Sequence, residues 1–299
     1  MSTSTSASSH TDKKQIKSPQ IPSVRAARSE GLTEGETMDS INISGSTILG
    51  YGITGVVSVL LPFVLAVIWK RTTDEKYFAA FVGAFGFFCA ATVRILLRAM
   101  LLGKSSPLRQ SPFAFYLTNA LISGILEETA RLLCFRYPLK NRTSRSVSVM
   151  HGIGHDGFES ITVIGISSFQ YVSYLSTAKS LGIEAFTKGL PKEEAQNVVE
   201  GIASLAGNGF FHSLFVTLGA VSGTALHIAL SVLVFAALQQ FDWKKLFLLA
   251  VGLHTLADIL PYFEHIGLIP TEGVVILDIV FAAAVGWIAY KKYQELPYV

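Results

Sequence analysis

Charge is scarce in this sequence. Only 15% of its 299 residues are Asp, Glu, Lys or Arg and half are hydrophobic, where an ordinary soluble domain carries about 25% charge. That shortage excludes a typical water-soluble fold. No large excess of either sign exists: the formal net charge is +3 and the basic residues gather at the ends of apolar segments, which gives no footprint for nucleic acid. Cysteine is down to two residues, Cys89 and Cys134. Both fall inside expected membrane spans, so they say little about disulfides or redox compartment. The N-terminal stretch lacks the apolar core of a signal peptide, and no solenoid-type repeat is visible.

What the chain does have is long apolar runs. Residues 1–46 stand apart as a Ser/Thr/Lys-rich tail, "MSTSTSASSHTDKKQIKSPQ" and onward, expected to be disordered. The membrane domain is expected over 47–292, with a short C-terminal tail at 293–299. Seven apolar segments lie within it, at roughly 48–69, 77–101, 113–135, 148–170, 216–238, 245–263 and 272–290. A spanning helix needs about 20 mostly apolar residues, and backbone polarity inside a bilayer demands a helix. The expectation is therefore an all-α, polytopic, integral membrane bundle with the lipid bilayer as its surroundings. "PKEEAQNVVEGIASLAG", in the longest connection, reads as a short surface helix. The run at 208–215 either extends the fifth span or re-enters the membrane.

Basic residues set the expected orientation. Lys70, Arg71 and Lys76, then Lys140, Arg142 and Arg145, then Lys244 and Lys245, then Lys291 and Lys292 all fall on one side. By the positive-inside rule that side is cytosolic, with the N-terminus outside and the C-terminus in the cytosol. The sequons at Asn42 and Asn141 then lie on opposite sides of the membrane.

Ionisable groups deep in the spans carry the functional signal. Span three holds Glu127, Glu128 and Arg131; span four holds His155 and Glu159, with His151 a turn earlier. Span five pairs His227 with Ser231, and span six pairs His254 with Asp258. Residues three or four apart share a helix face, so each span presents one polar stripe. At 1.5 Å per residue the stripes fall within roughly one turn of each other in depth. A charge at that depth costs about 2.5–3.5 kcal/mol on insertion scales, so four helices bearing it at one level point to a shared, partly hydrated site. Carboxylates with several histidines are the inventory of a metal site, as for zinc with one position open to water, or of a metal-free acid/base site. Either chemistry leads to hydrolysis.

At these residues the chain resembles a known family. "EETAR", "GIGHDGFES", "LHIALSVLV" and "LHTLAD" look like the YhfC-type intramembrane peptidases, a group similar to the PrsW and CAAX-processing membrane proteases. A noncatalytic gamma-secretase subunit is a distant relative of the same architecture. The resemblance covers about residues 48–290. It matches Glu127, Glu128 and Arg131 to a double-glutamate motif, His155 and Glu159 to a His–glycine–Glu motif, and His227 and His254 to two later histidines. The chain departs from it at Asp156, where "HGG" is usual, and at "SGTAL", where "ER" often precedes the fifth-span histidine.

Together these imply a divalent metal, zinc, held by His155, His227 and His254 with Glu159 as a fourth ligand. Glu127 or Glu128 would activate water, and Arg131 would orient the pair. Asp258 and Ser231 would support the histidines from behind. The substrate would be a membrane protein or peptide. A noncatalytic scaffold that keeps the cluster for packing is the alternative, followed by an ion-coupled transporter, against which no inverted repeat is visible.

Other features have plainer readings. "GIGHDG" fits a dinucleotide fingerprint only by pattern; its glycines suit close helix approach. His151 reads as a helix-end residue, Arg94 and Arg98 as snorkelling side chains, and Asp278 as a headgroup contact. His10, His212 and His265 are given no role.

Overall fold

The computed structural model describes residues 41–239 and 243–297, and among them all regular structure is helical. The tail expected at 1–46 lies outside the described residues up to residue 40. Its last residues belong to the bundle, because Ser44 Oγ accepts from Ser46 N and caps a helix that starts at Gly45.

That helix, α1 (Gly45–Thr73), is followed by α2 (Phe78–Leu101). Next comes α3 (Pro112–Arg136), started by Pro112 at its first turn and by Ser111, whose hydroxyl accepts from Ala114 N, the usual chemistry of a helix entry. Then come α4 (Ser146–Glu159), a π-helical segment at Ser160–Gly165 and α5 (Ile166–Leu181). The short α6 (Glu184–Thr187) leads to α7 (Lys192–Gly207), the expected surface helix. α8 runs Gly209–Leu238, so residues 209–215 extend the fifth span rather than re-enter. The chain ends with α9 (Trp243–Asp258), α10 (Pro261–His265) and α11 (Thr271–Glu295).

Among the described residues, five stretches are long and apolar enough to cross a membrane by themselves: Gly45–Thr73, Phe78–Leu101, Gly209–Leu238, Trp243–His265 and Thr271–Glu295. The other two expected spans coincide with α3 and with α4 through α5. These are the helices that carry Glu127, Glu128, Arg131, His155 and Glu159, so their apolar windows are interrupted by the polar groups of the site. The exposed faces are apolar, as with Phe81, Phe85 and Ile95 on α2 and Ile276, Val280 and Trp287 on α11. Such faces suit lipid, and the chain is an integral, multi-pass membrane protein.

Five helices close a ring. α2 packs on α3 and α4, α3 on α9, α9 on α8, and α8 on α4; α1 and α11 lie against α8 from outside. Glycine sets the tightest contact. A Cβ on Gly154 would sit 1.9 Å from Ala80 O, and one on Gly83 would sit 2.1 Å from His151 O. α4 can lie against α2 at this depth only without those methyls, the close approach expected of small residues in membranes. One end of the ring is sealed by apolar side chains, among them Val147, Met150, Leu230, Leu233 and Phe135, all buried. A second, smaller cluster joins Tyr51 of α1, Leu175 of α5, and Ile202 and Leu205 of α7 at the opposite end.

Candidate metal centre

All five helices of the ring send a polar side chain into its middle. α3 supplies Glu127, Glu128 and Arg131, fully buried. α4 supplies His151 and His155, also fully buried, and ends on Glu159. α8 supplies His227, and α9 supplies His254 and Asp258. α2 supplies Arg94. The stripes expected from helical spacing therefore converge.

Glu127 is the hub. Its Oε1 accepts from Arg94 Nη1 at 2.6 Å and from Ser123 Oγ at 2.9 Å. Its Oε2 faces His155 Nε2 at 3.3 Å and His254 Nε2 at 3.7 Å. Donor atoms of Glu127, His155 and His227 all lie within 4.8 Å of one another.

Glu128 does different work. Its Oε1 takes both the Arg131 guanidinium and the Nδ1–H of His254, the latter at 2.7 Å. With Nδ1 engaged there, Nε2, on the side of Glu127, is the nitrogen His254 has for an ion. A carboxylate in this position is what metal-bound histidines ordinarily have behind them. It is the place expected for Asp258, whose Oδ2 instead lies 3.8 Å from Nε2, on the forward side of the ring.

His227 is held the other way round. Arg131 Nη2 donates to its Nδ1. Arginine has no acceptor, so the ring proton sits on Nε2, 3.2 Å from Glu159 Oε2. Distance makes His227 a ligand candidate; in this tautomer it has no lone pair to offer forward. Ser231, expected beside His227, meets His151 Nδ1 at 3.3 Å. His151 is no helix-end residue: it is fully buried against Phe135, ring centroids 4.4 Å apart.

Two contributors escape a reading by position. Arg94, expected to snorkel, turns inward to Glu127, and Ser123 bridges the two. Ser123 does carry a signal, since it lies four residues before Glu127 and shares its face. The two departures from the family pattern meet each other, with Thr224 Oγ1 donating to Asp156 Oδ2 at 2.6 Å.

Helix α4 changes character directly after the site. The π segment begins at Ser160, next to Glu159, and Thr162 Oγ1 donates to Phe158 O at 2.7 Å within it. Such wide turns recur at functional positions because they re-phase the side chains around them. Exposure is graded across the cluster. The side chains of Asp258, Glu159 and Arg94 are 33, 23 and 16% accessible, against 1% for Glu127 and none for Arg131.

A family model described as YhfC intramembrane metalloprotease matches residues 57–279. The chain belongs to the YhfC intramembrane metalloprotease family. It is 26% identical over 260 residues to "Uncharacterized membrane protein YhfC" of Bacillus subtilis (strain 168), across 84% of this chain and 98% of that protein. No solved structure matches.

YhfC membership implies a divalent metal, and the residues present fit one. Glu128 Oε2, His155 Nδ1 and Glu159 Oε2 are buried without a hydrogen-bond partner among the described residues, which buried polar atoms seldom are. Glu127, Glu128, Glu159 and Asp258 outnumber the guanidiniums of Arg94 and Arg131. A dication offsets that excess of acid, since buried charges are paired or bound to metal.

Proposed function

We propose that this protein is an intramembrane zinc peptidase, with Glu127, His155 and His254 holding the ion inside the five-helix ring. What carries this reading is one buried oxygen, Glu127 Oε2, faced by Nε2 of both histidines, with Glu128 engaging His254 Nδ1 and leaving Nε2 for the ion. Zinc suits neutral imidazole and carboxylate donors. When bound, it supplies the Lewis acidity that polarises a carbonyl and makes water nucleophilic near neutral pH.

The remaining side chains divide the proton work. Glu127 is occupied on both oxygens, and Glu128, fully buried, binds Arg131 and His254 through Oε1. Glu159 is the carboxylate left with an unpartnered oxygen on the more accessible side. It takes a proton from the water that adds to the peptide carbonyl and returns it to the departing amine as the C–N bond breaks. His227 stands beside that oxygen, Nε2 at 3.2 Å without a hydrogen bond, and Arg131 keeps His227 in its tautomer while neutralising Glu128. The expected duties of Glu159 and the glutamate pair are thereby exchanged. The substrate is a membrane protein or peptide.

Metal analysis of the detergent-purified chain tests this. About one zinc per chain is expected, lost in His155→Ala and in His254→Ala. Absence of bound metal from the wild type after zinc loading would overturn it. A packing role is the second reading, favoured by the charge-balanced pairs Arg94–Glu127 and Arg131–Glu128; that metal-free result would select it.

A further inference from the structure

We infer that Arg94 is the positioning residue for Glu127, locking the carboxylate so that Oε2 alone faces the histidines. The inference rests on the reading of Glu127 as an ion-holding group. Arg94 Nη1 donates to Glu127 Oε1 at 2.6 Å and to Ser123 Oγ at 2.9 Å, and Ser123 passes its own proton to the same Oε1 at 2.9 Å. Two donors fill Oε1, which has two lone pairs to give. Rotating the carboxylate to exchange its oxygens would break both bonds inside the membrane, where neither donor finds a ready substitute.

Arg94 is itself braced. Its guanidinium lies 5.5 Å from the centroid of Phe87, and the Phe87 ring meets His155 edge-on at 5.2 Å. One side chain from α2 thus fixes the carboxylate directly and steadies the neighbouring imidazole through an aromatic contact. Charge and planarity both matter in that role, because a lysine offers a point charge where arginine offers a fixed fork. Arg94 touches none of the proposed reacting atoms and acts through Glu127.

Cobalt(II) binding to the full chain in detergent is the test, read by affinity and by the d–d absorption that reports ligand geometry. Arg94→Gln is expected to weaken cobalt binding at least about 10-fold, the cost typical of losing a partner behind a ligand, and to change the spectrum. Arg94→Lys should recover most of the affinity with the spectrum still displaced. Ser123→Ala, a near-isosteric loss of one donor, should shift both in the same direction by less. A parallel cycle of Arg94→Gln, Glu127→Gln and the double variant, read by Tm without metal, should show losses well short of additive. Unchanged cobalt affinity and spectrum in Arg94→Gln would overturn the assignment, and so would additive Tm losses. Failure of the wild type to bind cobalt sinks the metallopeptidase reading instead, while the Tm cycle still decides whether Arg94 works through Glu127.

Discussion

Two histidines of the same cluster are held at Nδ1 by partners of opposite charge, and that difference predicts different phenotypes. His254 gives Nδ1–H to Glu128 and has Nε2 forward for an ion; His227 receives Arg131 on Nδ1 and carries its proton forward. His227→Gln should therefore retain zinc near wild-type stoichiometry while cleavage falls, whereas His254→Ala should lose the ion. Glu128→Gln should keep the fold and weaken zinc about 10- to 100-fold, as loss of a supporting carboxylate does. Zinc titration of the three variants checks all of this; equal zinc loss in His227→Gln and His254→Ala would refute the tautomer assignment. At this scale the sequence told which residues gather, because an ionisable group at mid-membrane depth is itself a signal. It could not tell which nitrogen faces which carboxylate. Arg94 shows the same limit: seven residues from the end of α2, its charge is equally well explained by snorkelling until the structure brings Glu127 beside it.

The helices that build the site are legible to different degrees. α8 and α11 announce themselves by apolar length, and α7 by its proline start and acidic first turn. α4 is harder, since three glycines and a π segment interrupt its pattern, and a wide turn leaves no mark in residue spacing. What is readable is that small residues belong where helices touch. Gly154→Ala puts a methyl 1.9 Å from the backbone oxygen of Ala80, so α2 and α4 must separate. Forced overpacking of this kind costs about 1–3 kcal/mol. A lowered Tm and weakened zinc binding are expected together, because Arg94 and His155 sit on those two helices. Gly286→Ala on α11, with nothing within 4 Å of the added carbon, is the control and should leave both unchanged. A Gly154→Ala protein as stable as Gly286→Ala would mean that the α2–α4 contact is not set by glycine.

At the level of the whole molecule, the ring is closed at one end and graded open at the other. Val147, Met150, Leu230 and Leu233 fill the end where α3 gives way to α4. Exposure rises through Arg94 and Glu159 to Asp258, the last residue of α9. Water and substrate are therefore expected to arrive from the end where α2 leads into α3. By the positive-inside rule that end is expected to be the extracytosolic face, since Lys70, Arg71, Lys140, Arg142, Lys244 and Lys245 lie on the sealed side. Single cysteines in a Cys89→Ser, Cys134→Ala background can read this with a membrane-impermeant maleimide. Ser105→Cys marks the open face and Lys140→Cys the sealed one, both exposed positions. Asp258→Cys should label from the same side as Ser105→Cys and about as readily, while Met150→Cys should stay unlabelled from both. Labelling of Asp258→Cys together with Lys140→Cys would reverse the direction of access. Labelling from neither side would close the axial route and leave lateral entry between helices, which the ring of contacts from α2 through α3, α9, α8 and α4 otherwise opposes. Axial access also bears on what is cut: a substrate reaching Glu159 this way has to present an unwound, locally extended segment at the outer end of the ring, because an intact transmembrane helix about 10 Å across cannot pass between helices in contact.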